Sequence, residues 1–211
     1  MSISERIRVQ DVTILSKDWS TLKKTTFDFR RNNGEWQRQS RETYDRGNGA
    51  AILLYNLESE TVVLIRQFRF PAFVNGHQGI LIEVPAGVLD GSDAKDSIRK
   101  EAEEETGFRI DEVRKIFEAF TSPGSVTEKL HFFVAEYSLS NKISAGGGLL
   151  SEGEDIEVFE LRIESALDMI ANGSIQDAKT IILLQHAALH IFKREYPKPG
   201  LPPEKLIDED L

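Results

Sequence analysis

The apolar positions of this chain change their period twice. Up to residue 46, short stretches alternate apolar and polar side chains: Ile7 to Leu15, Leu22 to Phe29, and Trp36 to Tyr44. Alternation with period two predicts strands with one face turned inward, and Asn33-Gly34 between the last two is a strong hairpin turn. An antiparallel N-terminal β subdomain over residues 1–46 follows. After Gly47-Asn48-Gly49 the runs become more continuously apolar, with strands predicted at Ala50 to Asn56, Thr61 to Phe68, Ile80 to Val84, Val113 to Ala119, His131 to Tyr137 and Ile156 to Leu161. Helical spacing governs three segments: Ser92 or Asp93 to Thr106, Ile163 to Asn172, and Ala178 to Tyr196, the last ended by the proline-rich segment from Pro197. The expected class is α/β (α+β), a mixed sheet sandwiched between helices over residues 47–196, followed by a mobile tail, 197–211.

The first of these helices is electrically odd. Glu101, Glu103, Glu104 and Glu105 crowd its last turns before Gly107, where the helix dipole favours cations. The i,i+4 pair Glu101 and Glu105 adds repulsion of roughly 0.2 to 0.5 kcal/mol. At about 100° per residue, Glu105 falls between Ala94 and Ile98 on one side and Ala102 on the other, and Glu101 lies about 60° from Ile98. A solvated acidic face would lie opposite this apolar stripe. Carboxylates turned toward the protein body need compensating cations, so Glu101 and Glu105, with Glu104 close by, predict a divalent-metal site.

Two further constellations join it. The segment from Ala145 to Glu157 places Glu152, Glu154, Asp155 and Glu157 just after three glycines that offer a hinge. Taken alone it reads as a solvated loop, and its spacing is not that of an EF-hand. The basic set is Arg66 and Arg69 at a strand end, Arg41 and Arg46 near Tyr44, and Lys179 at the start of the last helix. Arginine suits bidentate phosphate contacts, although singly each of these is an ordinary surface cation.

Composition narrows the partners. Lys and Arg number 26 against 35 Asp and Glu, a net charge of -9, which argues against general nucleic-acid binding. With no cysteine, disulfides, thiolate metal sites and cysteine nucleophiles are excluded. No apolar run reaches the roughly 18 residues of a membrane span, and the polar start is not that of a signal peptide, so a cytoplasmic protein is expected.

The stretch from Gly87 through Asp93, Lys100-Glu101, Glu104-Glu105 and Gly107-Phe108 resembles the signature of the Nudix hydrolases. Lys100 stands where that signature usually has Arg and Asp93 where it has Glu, and the gap between them is one residue shorter. These changes should loosen the loop or helix start and leave the metal-binding end intact. The wording of residues 42–49, 63–69, 123–128 and 177–180 is similar to the GDP-mannose pyrophosphatase group of that family, in its nucleoside-diphosphate-sugar branch.

The resemblance implies a Nudix fold and hydrolysis of a nucleotide sugar to a nucleoside monophosphate and a sugar 1-phosphate. It implies Mg2+, with Mn2+ as a substitute, held by Glu101, Glu105, Glu154 and the Ala86 carbonyl. Substrate contacts are implied at Trp19, Ser40, Arg41, Glu42, Arg69, Ala86, Gly87, Val88, Glu105, Glu128 and Lys179. Glu152 is implied as the general base and Glu104 as a second catalytic residue, though Glu152, Glu154 and Glu157 can exchange roles. Trp19 stands where the group has Tyr, and Ser40 where it has Lys. A homodimer is implied too, with Trp19 and residues 40–42 serving the partner's site. The competing readings are an ADP-ribose or ADP-sugar pyrophosphatase and a non-catalytic Nudix-fold binding module.

Two aromatic groupings are weaker. His186 and His190, four apart on the last helix, read as packing rather than a metal pair. Phe68, Phe70, Phe73, Phe132 and Phe133 read as core, with Phe70 or Phe73 a candidate for lining a base pocket.

Overall fold

The computed structural model describes residues 2–194 except Asp90, Ser92, Leu150 and Glu152. The expected tail from Pro197 lies outside them. Three strands, β1 (Ile7–Lys17), β2 (Thr21–Arg30) and β3 (Trp36–Asp45), form an antiparallel sheet in the order β1-β2-β3. A register shift between Val9 and Asp11 puts Val12 back in phase, so Ile7, Val9, Val12 and Ile14 stand opposite Phe29, Phe27, Thr25 and Lys23 of β2. This face is therefore apolar along β1, whose four side chains on it are exposed, and at Phe27 and Phe29 of β2, while Lys23 of β2 and Gln37, Gln39, Arg41 and Thr43 of β3 make the rest of it polar.

A seven-stranded mixed sheet forms the body. Its strands are β4 (Gly49–Asn56), β5 (Thr61–Phe68), β6 (Ile80–Glu83), β7 (Ala86–Val88), β8 (Arg114–Phe120), β9 (Lys129–Glu136) and β10 (Glu157–Arg162). The main order is β10-β5-β4-β9-β8, with β6 added to β5 and β7 to β4; only β4 and β9 run parallel. The central strands β4 and β5 are nearly continuously buried, as expected of strands covered on both faces.

Helices supply the covers. α2 (Ala94–Thr106) packs Ile98 and Ala102 against Ile52, Leu54, Val63 and Phe133 on one face. On the other, α3 (Ile163–Ala171) and α4 (Ala178–His190) pack Ile163, Leu167, Leu183 and Leu184 against Leu53, Leu64 and Phe132. This is the expected sandwich. The last helix ends at His190, short of the predicted Tyr196, and a short helix α1 (Phe70–Val74), with Pro71 in its first turn, interrupts what the sequence left as loop.

The aromatic expectations divide. Phe132 and Phe133 are core, but Phe68, Phe70 and Phe73 are 53, 62 and 52% exposed. They belong to the end of β5 and to α1, beyond the reach of the covering helices, and cluster with each other at ring distances of 6.0 and 6.3 Å. The His186 and His190 rings meet at 4.7 Å, tilted by 44°, with His186 edge-on to Phe117.

Candidate active site

The acidic wall is built by α2 and the loop that docks on its end. Asp93 caps the helix, its carboxylate accepting the Lys95 and Asp96 N–H groups at 2.9 and 3.3 Å. Gly107 ends it in the left-handed region at φ 77° and donates its N–H to the Glu103 carbonyl. The remaining terminal carbonyls would be orphans. Gly147 donates to the Glu105 carbonyl at 2.9 Å and Gly148 to that of Glu104 at 3.2 Å, so the glycine-rich segment is a dock for the helix end. Docking carries Glu154 to the helix, where its carboxylate accepts the Leu149 N–H at 2.8 Å.

Glu105 is 1% exposed and accepts the Ala86 N–H at 3.3 Å. Burial pushes its carboxyl well above the ordinary range, and the charges of Glu101 and Glu154 push it the same way, against Arg69 and the Ala86 hydrogen bond. The charges of Glu101 and Glu154 thus both bear on the buried Glu105 carboxyl. Glu104 faces elsewhere: it pairs with Lys100 at 3.2 Å, and it does not line the cleft that Glu101 and Glu154 line.

That cleft has a volume of about 650 Å³. It is also lined by Arg69, from the end of β5, and Lys179, from the first turn of α4. Between them lies Glu83, 1% exposed at the end of β6, which sequence reasoning did not single out. Arg69 donates Nε and Nη2 to its two oxygens at 2.9 Å each, and Lys179 Nζ donates to Oε2 at 2.5 Å. The available signal was a lone acid in an apolar strand run, Ile80 to Val84, since a buried carboxylate requires partners.

Of the remaining sequence-predicted residues, Trp19, Ala86, Gly87, Val88 and Glu128 also line the cleft. Glu128 is held near Arg46 at 3.5 Å. Trp19 is 94% exposed and lines the cleft of its own chain together with Arg69 and Glu154. Ser40, Arg41 and Glu42 lie on β3 and do not line it. Glu152 lies outside the described residues. A second, outer hollow of about 870 Å³ shares Trp19, Arg69 and Glu154 with the first, and adds Phe68 and Ile80. Phe70 and Phe73 line neither hollow.

Residues 45–184 match the NUDIX domain family, and residues 6–44 match the family described as the GDP-mannose pyrophosphatase NudK N-terminal domain. The chain belongs to the Nudix family. Its curated relatives include proteins named GDP-mannose pyrophosphatase from Citrobacter koseri, Escherichia coli O1:K1 / APEC and Salmonella typhimurium. Each is 53% identical over 185 residues, covering 87% of this chain and 96% of the relative. As a Nudix protein with such relatives it is a hydrolase acting on pyrophosphate bonds.

Nudix enzymes generally use divalent metal ions. Among the described residues no three acidic or histidine side chains converge into a ready-made metal cluster. The donor chemistry nevertheless fits a hard cation: mutually repelling carboxylates of Glu101, Glu105 and Glu154 beside the Ala86 backbone, all oxygen ligands.

Proposed function

We propose that this hydrolase cleaves the diphosphate bond of a nucleotide sugar, GDP-mannose foremost, to GMP and mannose 1-phosphate, with magnesium as its metal. The observation that carries the reading is the cleft lined by the carboxylates of Glu101 and Glu154 together with Arg69 and Lys179, with the buried Glu105 carboxyl within reach of the charges of Glu101, Glu154 and Arg69. A diphosphate bridging two organic groups needs both acids and cations, since its oxygens take metal held by carboxylates as well as N–H donors.

Glu101, Glu105, Glu154 and the Ala86 carbonyl would hold the metal, which when bound neutralises phosphate charge and lowers the pKa of attacking water. Water attacks one phosphorus while the bond from that phosphorus to the bridging oxygen breaks. A loop carboxylate takes the water proton; the resemblance assigns this to Glu152, with Glu154 as ligand. Arg69 and Lys179 stabilise charge on the phosphoryl oxygens as the bridging oxygen leaves with the other phosphate. Two monophosphates result.

The exposed apolar stripe of β1, Ile7, Val9, Val12 and Ile14, supports a homodimer, because monomeric proteins rarely leave a contiguous apolar patch to water. In the dimer, residues 40–42 of one subunit reach the other's site. Among the described residues no helix is long and apolar enough to cross a membrane, and a cytoplasmic location agrees with the substrate.

The test is a panel of nucleoside-diphosphate sugars incubated with purified protein and magnesium, following GMP against AMP release. Preferred AMP release from ADP-ribose would replace GDP-mannose with an ADP-sugar. No turnover of any diphosphate would overturn the catalytic reading.

A further inference from the structure

Glu83 takes part in no step of the proposed reaction, yet it is one of the most completely buried charged groups in the protein. It gathers cations from elements far apart in sequence: Arg69 from the end of β5 and Lys179 from α4. Lys179 also donates to Asp177 at 2.9 Å, and Asp177 caps α4 by accepting the Thr180 N–H at 2.9 Å and its hydroxyl at 2.6 Å. The Thr180 hydroxyl oxygen in turn accepts the Val84 N–H at 2.8 Å, which fastens the start of α4 to the residue after Glu83. One continuous network therefore joins β5, β6 and α4 at the cationic wall of the cleft.

The charges in this network cancel. Arg69 and Lys179 face Glu83 and Asp177, two positive against two negative, so the wall is not simply an attractive positive patch. What it offers is fixed donors. Arg69 spends Nε and Nη2 on Glu83, and its Nη1 makes no hydrogen bond to another described residue. Lys179 commits two of three ammonium protons. Both side chains line the cleft, and both have long chains whose freedom would otherwise be lost on binding.

We propose that Glu83 is a positioning residue, which holds Arg69 and Lys179 in one geometry so that their remaining N–H groups grip the phosphate oxygens of a diphosphate. It rests on the reading of the cleft as a diphosphate site. The role carries an unusual sign. Removing a negative charge beside an anion site should strengthen binding by charge alone, whereas removing the group that orients the donors should weaken it.

The experiment is calorimetric titration of imidodiphosphate, a diphosphate analogue resistant to hydrolysis, with magnesium, into the full-length protein and its Glu83→Gln variant. Thermal melting establishes that each is folded. The expected result is a rise in Kd of roughly tenfold or more for Glu83→Gln, accompanied by a raised KM for any diphosphate the wild type hydrolyses. An unchanged or lower Kd in folded Glu83→Gln would overturn the proposal and leave Glu83 a merely structural ion-pair partner. Should Glu83→Gln not fold, Glu83→Asp keeps the charge and withdraws it by one methylene. The same loss is expected there, and wild-type affinity in Glu83→Asp would refute positioning. A wild type that binds imidodiphosphate but turns over no nucleotide sugar removes the proposed function and leaves this inference standing. A wild type that does not bind it overturns both.

Discussion

The Glu101 carboxylate lies against the backbone of Gly87: a Cβ placed on Gly87 would stand 2.3 Å from its Oε1, far inside contact distance. Strand β7 and helix α2 thus meet at a point where only a hydrogen fits, and the Glu101 side chain occupies the space that a larger residue would take. Gly87→Ala should displace Glu101 from the cleft. The expected outcome is a loss of hydrolysis of roughly 10²-fold with far-UV circular dichroism unchanged, and wild-type activity in the variant would show that Glu101 has no part in the chemistry.

Glu105 should stabilise the fold only when a cation is bound. Its carboxylate is buried and repelled by Glu101 and Glu154, so Glu105→Gln removes an electrostatic penalty while keeping shape. In the presence of chelator this variant should melt no lower than wild type, and its turnover with magnesium should be abolished. The stabilisation of wild type by added magnesium should shrink in the variant, as read by paired thermal melts. An active Glu105→Gln enzyme would refute the metal assignment.

The Arg69–Glu83 pair sets an acid limit on stability. Burial raises the Glu83 carboxyl, but the hydrogen bonds and charges of Arg69 and Lys179 outweigh it and leave the group below its ordinary value of 4.5. A depressed folded-state value means that the contribution is fully present above about pH 4.5 and is lost as pH falls below that toward the folded value. Glu83→Gln should therefore lower stability near pH 7 and flatten the decline at acid pH. Urea melts from pH 7 down to pH 3 measure this, and parallel curves for the two proteins would contradict it.

The exposed apolar stripe of β1 makes a separate prediction. Val12 is exposed near its middle, opposite Thr25, and Val12→Glu would put a charge where two copies are expected to meet. Light scattering should report a dimer for wild type and a monomer for the variant. If residues 40–42 serve the partner's site, turnover should fall with the dimer; a dimeric variant would place the interface elsewhere.

Much of the site was legible because its chemistry is local. The acids of α2 lie within one helical turn and a half, so the 3.6-residue period alone turned Glu105 inward, and Asp93 and Gly107 mark the helix ends by cap chemistry. Glu83 was not legible, because its partners Arg69 and Lys179 lie 14 and 96 residues away in sequence. The three exposed phenylalanines around α1 were misread for a related reason: their apolar pattern suits a core strand, and only the packing shows that no layer covers them there.

The sequence by itself determined the long strands and the three long helices, though not α1, β7 or the end of the last helix, together with the inward turn of Glu105 and the net negative charge, since period, caps and composition act within a few residues or over the whole chain. Only the tertiary structure decided which cations face those acids, that Glu104 turns away to Lys100, and that the glycine loop seats on the end of α2. Those relationships depend on how β5, β6 and α4 meet in space, and burying a charge settles its partner only once the neighbouring elements have been packed.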